Sequence, residues 1–232
     1  MSSLFDIDVL DAVETPIGMI CLRTRPNPLD RAERITEITL DHEFLMSSLN
    51  TASERALSRL GLAMHAGRDL AVLVGGLGLG YTAHEALGSD RVGRVRVVEY
   101  LPQVIDWIRK GMVPLSDALN AEPRLEIVEG DVYALLAGAP QETFDLVLID
   151  VDHSPDEWLG DDNAGFYSDD GLRMARHHLA PGGVLGVWSH APHTPFGDAM
   201  RRVFGNLAVE EVQFDNPFIE ERETNWLFFS RA

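Results

Sequence analysis

The sequence predicts an α/β fold: a doubly wound, mainly parallel sheet with a C-terminal antiparallel strand pair and a small N-terminal β element. Three observations predict it. From Leu70 onward, short apolar runs alternate with helical stretches without a break. Runs such as LAVLV (70–74) and FDLVLI (144–149) are almost continuously apolar, which suits strands covered on both faces. A glycine cluster, Gly75–Gly80, directly follows the first run and opens a helix, the junction at which such sheets bind nucleotides.

Residues 1–48 read as the N-terminal β element and residues 49–232 as the main domain. Ile17–Arg23 and Ile35–Leu40 are strand-like, separated by the turn-rich segment Pro26–Asp30, and His42–Met46 is a third short run. Thr51 starts a helix. Thr51-x-x-Glu54 has the form of a capping box, Leu57, Leu60 and Met64 follow at helical spacing, and Gly67 supplies the stop. The strands expected after it are Leu70–Val74, Arg94–Glu99, Leu125–Val128, Phe144–Ile149 and Val184–Trp188. Helices are expected between them at Tyr81–Leu87, Pro102–Lys110, Val132–Ala137 and Asp169–Leu179. Pro102 stands in a first turn, where its missing N–H costs nothing, and Gly111 closes that helix. After a helix near Phe196–Val203, Val209–Phe214 and Trp226–Ser230 form an antiparallel pair.

Composition narrows the function. The 232 residues are 45% hydrophobic and carry a net charge of −18. That field repels polyanions, and no basic stripe offsets it, so nucleic acid is excluded as a partner and a small cationic substrate fits better. An acidic surface that only maintains solubility is the plainer reading. No apolar run approaches the roughly 18 residues of a membrane helix, and the acidic N-terminus is the reverse of a signal peptide. Cys21 is the only cysteine, so a reducing cytoplasm is the expected compartment.

The glycine spacing is Gly76-x-Gly78-x-Gly80, with Gly75 ahead of it. A dinucleotide fingerprint would place its third glycine where Tyr81 stands, and a phosphate loop would need Gly-Lys-Ser/Thr. The loop therefore points to a nucleoside rather than a polyphosphate. Glu99 ends the second strand, 19 residues beyond Gly80, where an acid hydrogen-bonds ribose hydroxyls. Asp131 follows the third strand. It either caps the helix starting at Val132 or reaches an adenine amino group, with the Val132 N–H on a ring nitrogen, and one residue can do both.

Gly75–Gly80, Glu99, Glu129-Gly130-Asp131-Val132 and Leu148-Ile149-Asp150 fall in an order that resembles the class I S-adenosylmethionine-dependent methyltransferase fold, a Rossmann-like fold. More narrowly, LDHEFLMSS, VLVGGLGLG, VRVVEYLPQVIDW, PRLEIVEGDV, FDLVLIDVD and FYSDDGLRMARHHLAPGGVLGVWS resemble the spermidine synthase-like, polyamine aminopropyltransferase-like branch. The resemblance runs from about Ile17 to the C-terminus. It implies S-adenosylmethionine or its decarboxylated form as donor, a homodimer, and cofactor contacts from Gly75, Gly76, Gly78, Gly80, Glu99, Asp131, Val132 and Asp150.

Three departures stand against the aminopropyl chemistry. The family's GGGDGG loop has an aspartate where this chain has Gly78. Its D-S-S/T-D-P motif reads here Asp150-Val151-Asp152-His153-Ser154-Pro155. Its Tyr-His-Glu type substrate triplet falls near Ser53-Glu54-Arg55.

Asp150 lies at the carboxyl end of the fourth strand, beside the crevice of an open α/β sheet. Six carboxylates lie between Asp150 and Asp162. Asp150, Asp152 and His153 are the expected catalytic group: Asp150 or His153 takes a proton from a nucleophile and the acids hold an ammonium. No metal is assigned. His190-x-x-His193 lacks a companion carboxylate, and His177-His178 reads as a helix terminus. Trp188 is either a pocket wall or a core residue. The function expected is transfer from an S-adenosyl sulfonium donor to a small amine-bearing acceptor. The alternatives are a methyltransferase for a non-amine small molecule and an inactive nucleoside-binding member.

Overall fold

Two sheets make up the structure, a computed structural model that describes residues 6–30, 32–151, 165–216 and 221–232. The first is an antiparallel meander of β1 (Asp8–Thr15), β2 (Gly18–Pro26), β3 (Arg34–Leu40) and β4 (Glu43–Ser47). β1 was not expected from the sequence. As an edge strand it is largely exposed, so DVLDAVET shows no alternation of buried apolar and exposed polar positions. β4 starts one residue later than expected because Asp41 and His42 take positive φ values, 47° and 73°, in the tight turn after β3. Inside this sheet Glu37 is almost fully buried and accepts from Arg23 Nε (3.0 Å) and Arg25 Nε (2.6 Å). Trp107 Nε1 donates to Asp11 Oδ2 at 2.7 Å, tying β1 to the larger unit.

α1 (Ala52–Met64) links the two sheets. Thr51 is its N-cap, but neither half of the expected capping box forms: Thr51 Oγ1 accepts from Arg55 Nε at 3.1 Å, and Glu54 accepts from Ser53 Oγ at 3.0 Å. The helix ends at Met64, before Gly67, because His65 turns to an extended conformation.

The second sheet has seven strands, and its parallel part alternates with helices as expected. β5 (Leu70–Gly75), α2 (Tyr81–Leu87), β6 (Val92–Glu99), α3 (Pro102–Arg109) and α4 (Ser116–Asn120) come first. β7 (Leu125–Glu129), α5 (Val132–Ala137) and β8 (Phe144–Ile149) follow. α6 (Asp169–His177), β9 (Leu179–Ser189), α7 (Pro195–Phe204), β10 (Ala208–Asn216) and β11 (Glu221–Arg231) complete the chain. α6 stops before the expected Leu179, which pairs with Phe144 as the start of β9.

The strand order is β10-β11-β9-β8-β5-β6-β7. β9, β8, β5, β6 and β7 are parallel, and β11 and β10 join antiparallel at one edge. Side chains alternate across the sheet with period two. Leu146 and Leu148 pack with α1, α2 and α3, whereas Val147 and Ile149 pack with α5, α6 and α7. Both faces are therefore apolar, which is why these strands read as unbroken hydrophobic runs. The chain leaves β5 toward β6 on one side and β8 toward β9 on the other. This is the switch point at which a crevice opens beyond the carboxyl ends of the strands.

Candidate functional site

A cavity of about 710 Å³ lies at that switch point, lined from the first sheet, the first turn of α1, the glycine loop, the ends of β6, β7 and β8, and the β10–β11 hairpin. The loop owes its shape to glycine. Gly76, Gly78 and Gly80 all take positive φ, 89°, 49° and 89°. A Cβ on Gly76 would sit 2.5 Å from the Asp150 carbonyl oxygen, so only glycine lets the loop pass the end of β8. A Cβ on Gly78 would lie 2.6 Å from Met46 Cε, because Met46 of β4 leans onto the loop and its sulfur accepts from Leu79 N–H at 3.2 Å.

Of the expected loop residues, Gly76 and Gly78 line the cavity. Gly75 and Gly80 do not. Gly75 is the last residue of β5, where its carbonyl accepts from Asp150 N–H, and Gly80 is the N-cap of α2, where a Cβ would strike Leu119. Both shape the loop from behind the wall.

Glu99 lines the cavity and is only 8% exposed. Its two oxygens accept from Leu77 N–H and Leu101 N–H, each at 2.8 Å. Burial pushes this carboxyl above its ordinary pKa, opposed by the backbone N–H groups of Leu101, Leu77, Gly78 and Tyr100. Asp131 caps α5 through Oδ1, which accepts from Tyr133 N–H (2.8 Å) and Ala134 N–H (3.2 Å), and it also lines the cavity. Both bonds use one oxygen, so the cap and a ligand contact through Oδ2 are compatible. Val132 lies beside it on the wall.

Asp150 stands just past β8 and lines the cavity, with Oδ2 accepting from Thr82 Oγ1 of α2 at 2.8 Å. Burial raises its pKa, and the Thr82 hydroxyl opposes that shift. Asp152 and His153, expected beside it, lie outside the described residues. His190 and His193 are exposed and line no part of the cavity, and His178 is buried at a helix end with Nε2 3.0 Å from the Gly138 carbonyl. Trp188 is half-buried and does form part of the wall.

Sequence reasoning missed Glu54 as a site residue. It faces the cavity from the first turn of α1, and its pKa is pushed up to about 7, first by burial and then by the neighbouring Asp150 carboxylate. The capping-box spacing gave it a structural role. The signal that could have found it is its place within the Ser53-Glu54-Arg55 triplet. Glu223 and Asn225 of β11 also line the cavity, and Asn225 Nδ2 donates to Ser53 Oγ at 3.0 Å. Among the described residues, the wall thus carries five buried or half-buried carboxylates: Glu54, Glu99, Asp131, Asp150 and Glu223. Its one guanidinium, Arg25, is engaged by Glu37.

No family model matches the chain. It is 31% identical over 125 residues to a polyamine aminopropyltransferase of Mycobacterium tuberculosis, a match covering 53% of this chain and 23% of the relative. It is 30% identical over 144 residues to a polyamine aminopropyltransferase of Prochlorococcus marinus, covering 58% of this chain and 47% of the relative. The chain thus spans less than half the length of these curated relatives. Among solved structures it is similar to a spermidine synthase in complex with the transition-state analogue AdoDATO. The TM-score is 0.76 at 21% identity, over 96% of this chain and 73% of that one. A spermidine synthase from Thermotoga maritima gives a TM-score of 0.74 at 20% identity, over 96% and 72%. The chain shares the fold of these spermidine synthases.

Proposed function

We propose that this protein transfers an aminopropyl group from decarboxylated S-adenosylmethionine to a small amine, as the names of its relatives suggest. The observation that carries the reading is the division of the cavity wall. The loop Gly76–Gly78 with Glu99, Asp131 and Val132 supplies a nucleoside cradle, and Asp150, Glu54 and Glu223 supply carboxylates for cationic groups. When bound, the sulfonium donor presents a carbon already activated for displacement. What remains for the protein is to align an amine with that carbon and accept its proton. Among the described residues, a wall with six carboxylates, the exposed Asp215 included, and one engaged guanidinium disfavours an amino-acid carboxylate in the ligand, which supports the decarboxylated donor over S-adenosylmethionine itself.

In this reading Glu99 holds the ribose, Asp131 the adenine amino group and Asp150 the acceptor nitrogen. Asp152 and His153 belong to the same proposed group by their place in the chain. The N-terminal β element exposes Val9, Leu10, Met19 and Phe44, which supports a homodimer formed through that sheet. A two-chain mass by light scattering is the outcome expected.

The test is calorimetric titration with decarboxylated S-adenosylmethionine, S-adenosylmethionine, methylthioadenosine and NAD, followed by an amine screen with the donor that binds. Decarboxylated S-adenosylmethionine should bind tightest and NAD not at all. Asp150→Asn should then lower turnover by about 10²–10⁴ with the nucleoside affinity retained. Tighter binding of S-adenosylmethionine than of its decarboxylated form would turn the reading to methyl transfer. Binding without turnover of any acceptor would leave a nucleoside-binding protein.

A further inference from the structure

We propose that Glu54 is a second base of this site, sharing one proton with Asp150 inside the cavity and taking the proton that the acceptor amine gives up. The proposal rests on the transferase reading above and adds to it a proton-accepting role for a residue that departs from the substrate triplet it stands near. Glu54 and Asp150 reach the same cavity from separate elements, α1 and the end of β8, and each is held by a neighbouring hydroxyl. Ser53 Oγ donates to Glu54 Oε2 at 3.0 Å and itself accepts from Asn225 Nδ2 of β11 at 3.0 Å. Thr82 Oγ1 donates to Asp150 Oδ2 at 2.8 Å.

The surrounding charges decide what the pair can do. Asp150 faces Glu54 from β8, and Tyr81 presents a phenol from α2. Glu223 lines the same cavity from β11. Among the described residues, the cation beside Glu54 is Arg55, and it is drawn away: Nη1 lies 3.1 Å from Glu85 Oε2, and the guanidinium stacks 5.0 Å from the centre of the Tyr81 ring. Two carboxylates that line one cavity and interact across it cannot both ionise cheaply, so one proton stays on the pair near neutral pH. Burial and the neighbouring Asp150 accordingly raise Glu54 to about 7, and Asp150 is raised as well. The ionised member attracts an ammonium and is a stronger base than an ordinary surface carboxylate.

The proton and electron count closes. The acceptor enters as an ammonium and gives one proton to the ionised carboxylate, leaving a neutral amine. The nitrogen lone pair forms the new N–C bond while the C–S bond breaks, its electron pair staying on sulfur as a neutral thioether. The product nitrogen carries the positive charge, and the pair later releases its extra proton to water.

The deciding experiment needs no turnover. Carboxyl carbons of the ligand-free protein are labelled with ¹³C and followed by NMR across the neutral pH range. Besides Glu99, one glutamate should titrate well above the usual carboxylate range, vanish in Glu54→Gln, and move down in Asp150→Asn as the like charge is removed. In Ser53→Ala, a variant that leaves both carboxyls in place, the midpoint should move up because a hydrogen bond to the ionised form is lost. A Glu54 midpoint in the ordinary range, or one that ignores Asp150→Asn, would overturn the pair. With an amine that turns over, Glu54→Gln should lower kcat/KM by about 10²-fold and shift the acid limb of the pH profile, with nucleoside affinity unchanged. An unchanged profile would overturn the base role. If no amine reacts at all, the transferase reading fails and the base role with it, while the midpoints still judge the shared proton.

Discussion

Glu54→Gln should make the protein more stable in mild alkali than the wild type, although it removes a residue placed in the site. A carboxyl whose folded-state pKa lies above its unfolded value holds its proton more tightly in the folded chain. Its stabilising contribution is full below about pH 4.5 and is lost as pH rises through about 7. Moving Glu54 from 4.5 to about 7, at about 1.4 kcal/mol per pH unit, amounts to about 3 kcal/mol lost across that window. Asp150 and Glu99 are raised too, so their contributions carry the same sign. The surface acids Glu122 and Asp169 are held below the usual range by hydrogen bonds from Arg124 and Arg202, so they stay ionised throughout and cancel. Glutamine keeps the shape and can still accept from Ser53, but it does not titrate. Urea unfolding at about pH 5 and about pH 8.5, at constant ionic strength, should show wild-type stability falling with pH and a shallower fall in Glu54→Gln. The slope with denaturant should be unchanged, which separates a change in stability from a change in the unfolded state. If the variant is no more stable than the wild type at the higher pH, or if both lose the same amount, Glu54 carries no raised pKa and the shared proton is lost with it.

Two further predictions concern the half of the cavity proposed to hold the nucleoside. Glu99→Ala should weaken binding of methylthioadenosine by roughly 1.5–3 kcal/mol in calorimetry and also destabilise the fold, because the N–H groups of Leu77 and Leu101 lose their acceptor. Equal affinity in a folded variant would remove Glu99 from the ribose site. Gly78→Asp should destabilise by at most about 1 kcal/mol in urea unfolding, because its Cβ displaces the flexible end of Met46 at a positive φ, and adding Met46→Ala should recover part of that loss. No recovery in the double variant would show that the contact with Met46 is not the cause.

What the sequence made legible follows from where each signal is stored. β5 and β8 are apolar at nearly every position because helices cover both faces of the sheet, so composition alone marks them. Pro102, Gly111 and the glycine loop carry local backbone chemistry and were readable for that reason. β1 was not, since an exposed edge strand buries too little to leave a pattern, and α4, five residues long, is too short to show a helical period. The Thr51–Glu54 spacing misled because a capping glutamate and a cavity glutamate look the same along the chain. Only the arrival of Asp150 from β8 and of Asn225, through Ser53, from β11 distinguishes them.

The same reasoning applies to Gly78. In the sequence its lack of a carboxylate is a bare departure from a related motif, with no cause attached. In the structure, the thioether of Met46, supplied by the N-terminal sheet, stands where a side chain at position 78 would begin. Met46 of β4 thus packs on the open side of Gly78, and a side chain there would have to move the flexible thioether aside. The acids that the proposed function assigns to the acceptor come from α1, β8 and β11 instead. Charge absent from the loop and charge gathered around Glu54 and Asp150 are thus two parts of one arrangement. In the proposed reaction it gives the acceptor side of the cavity three carboxylates, Glu54, Asp150 and Glu223, to which an incoming ammonium can pass its proton.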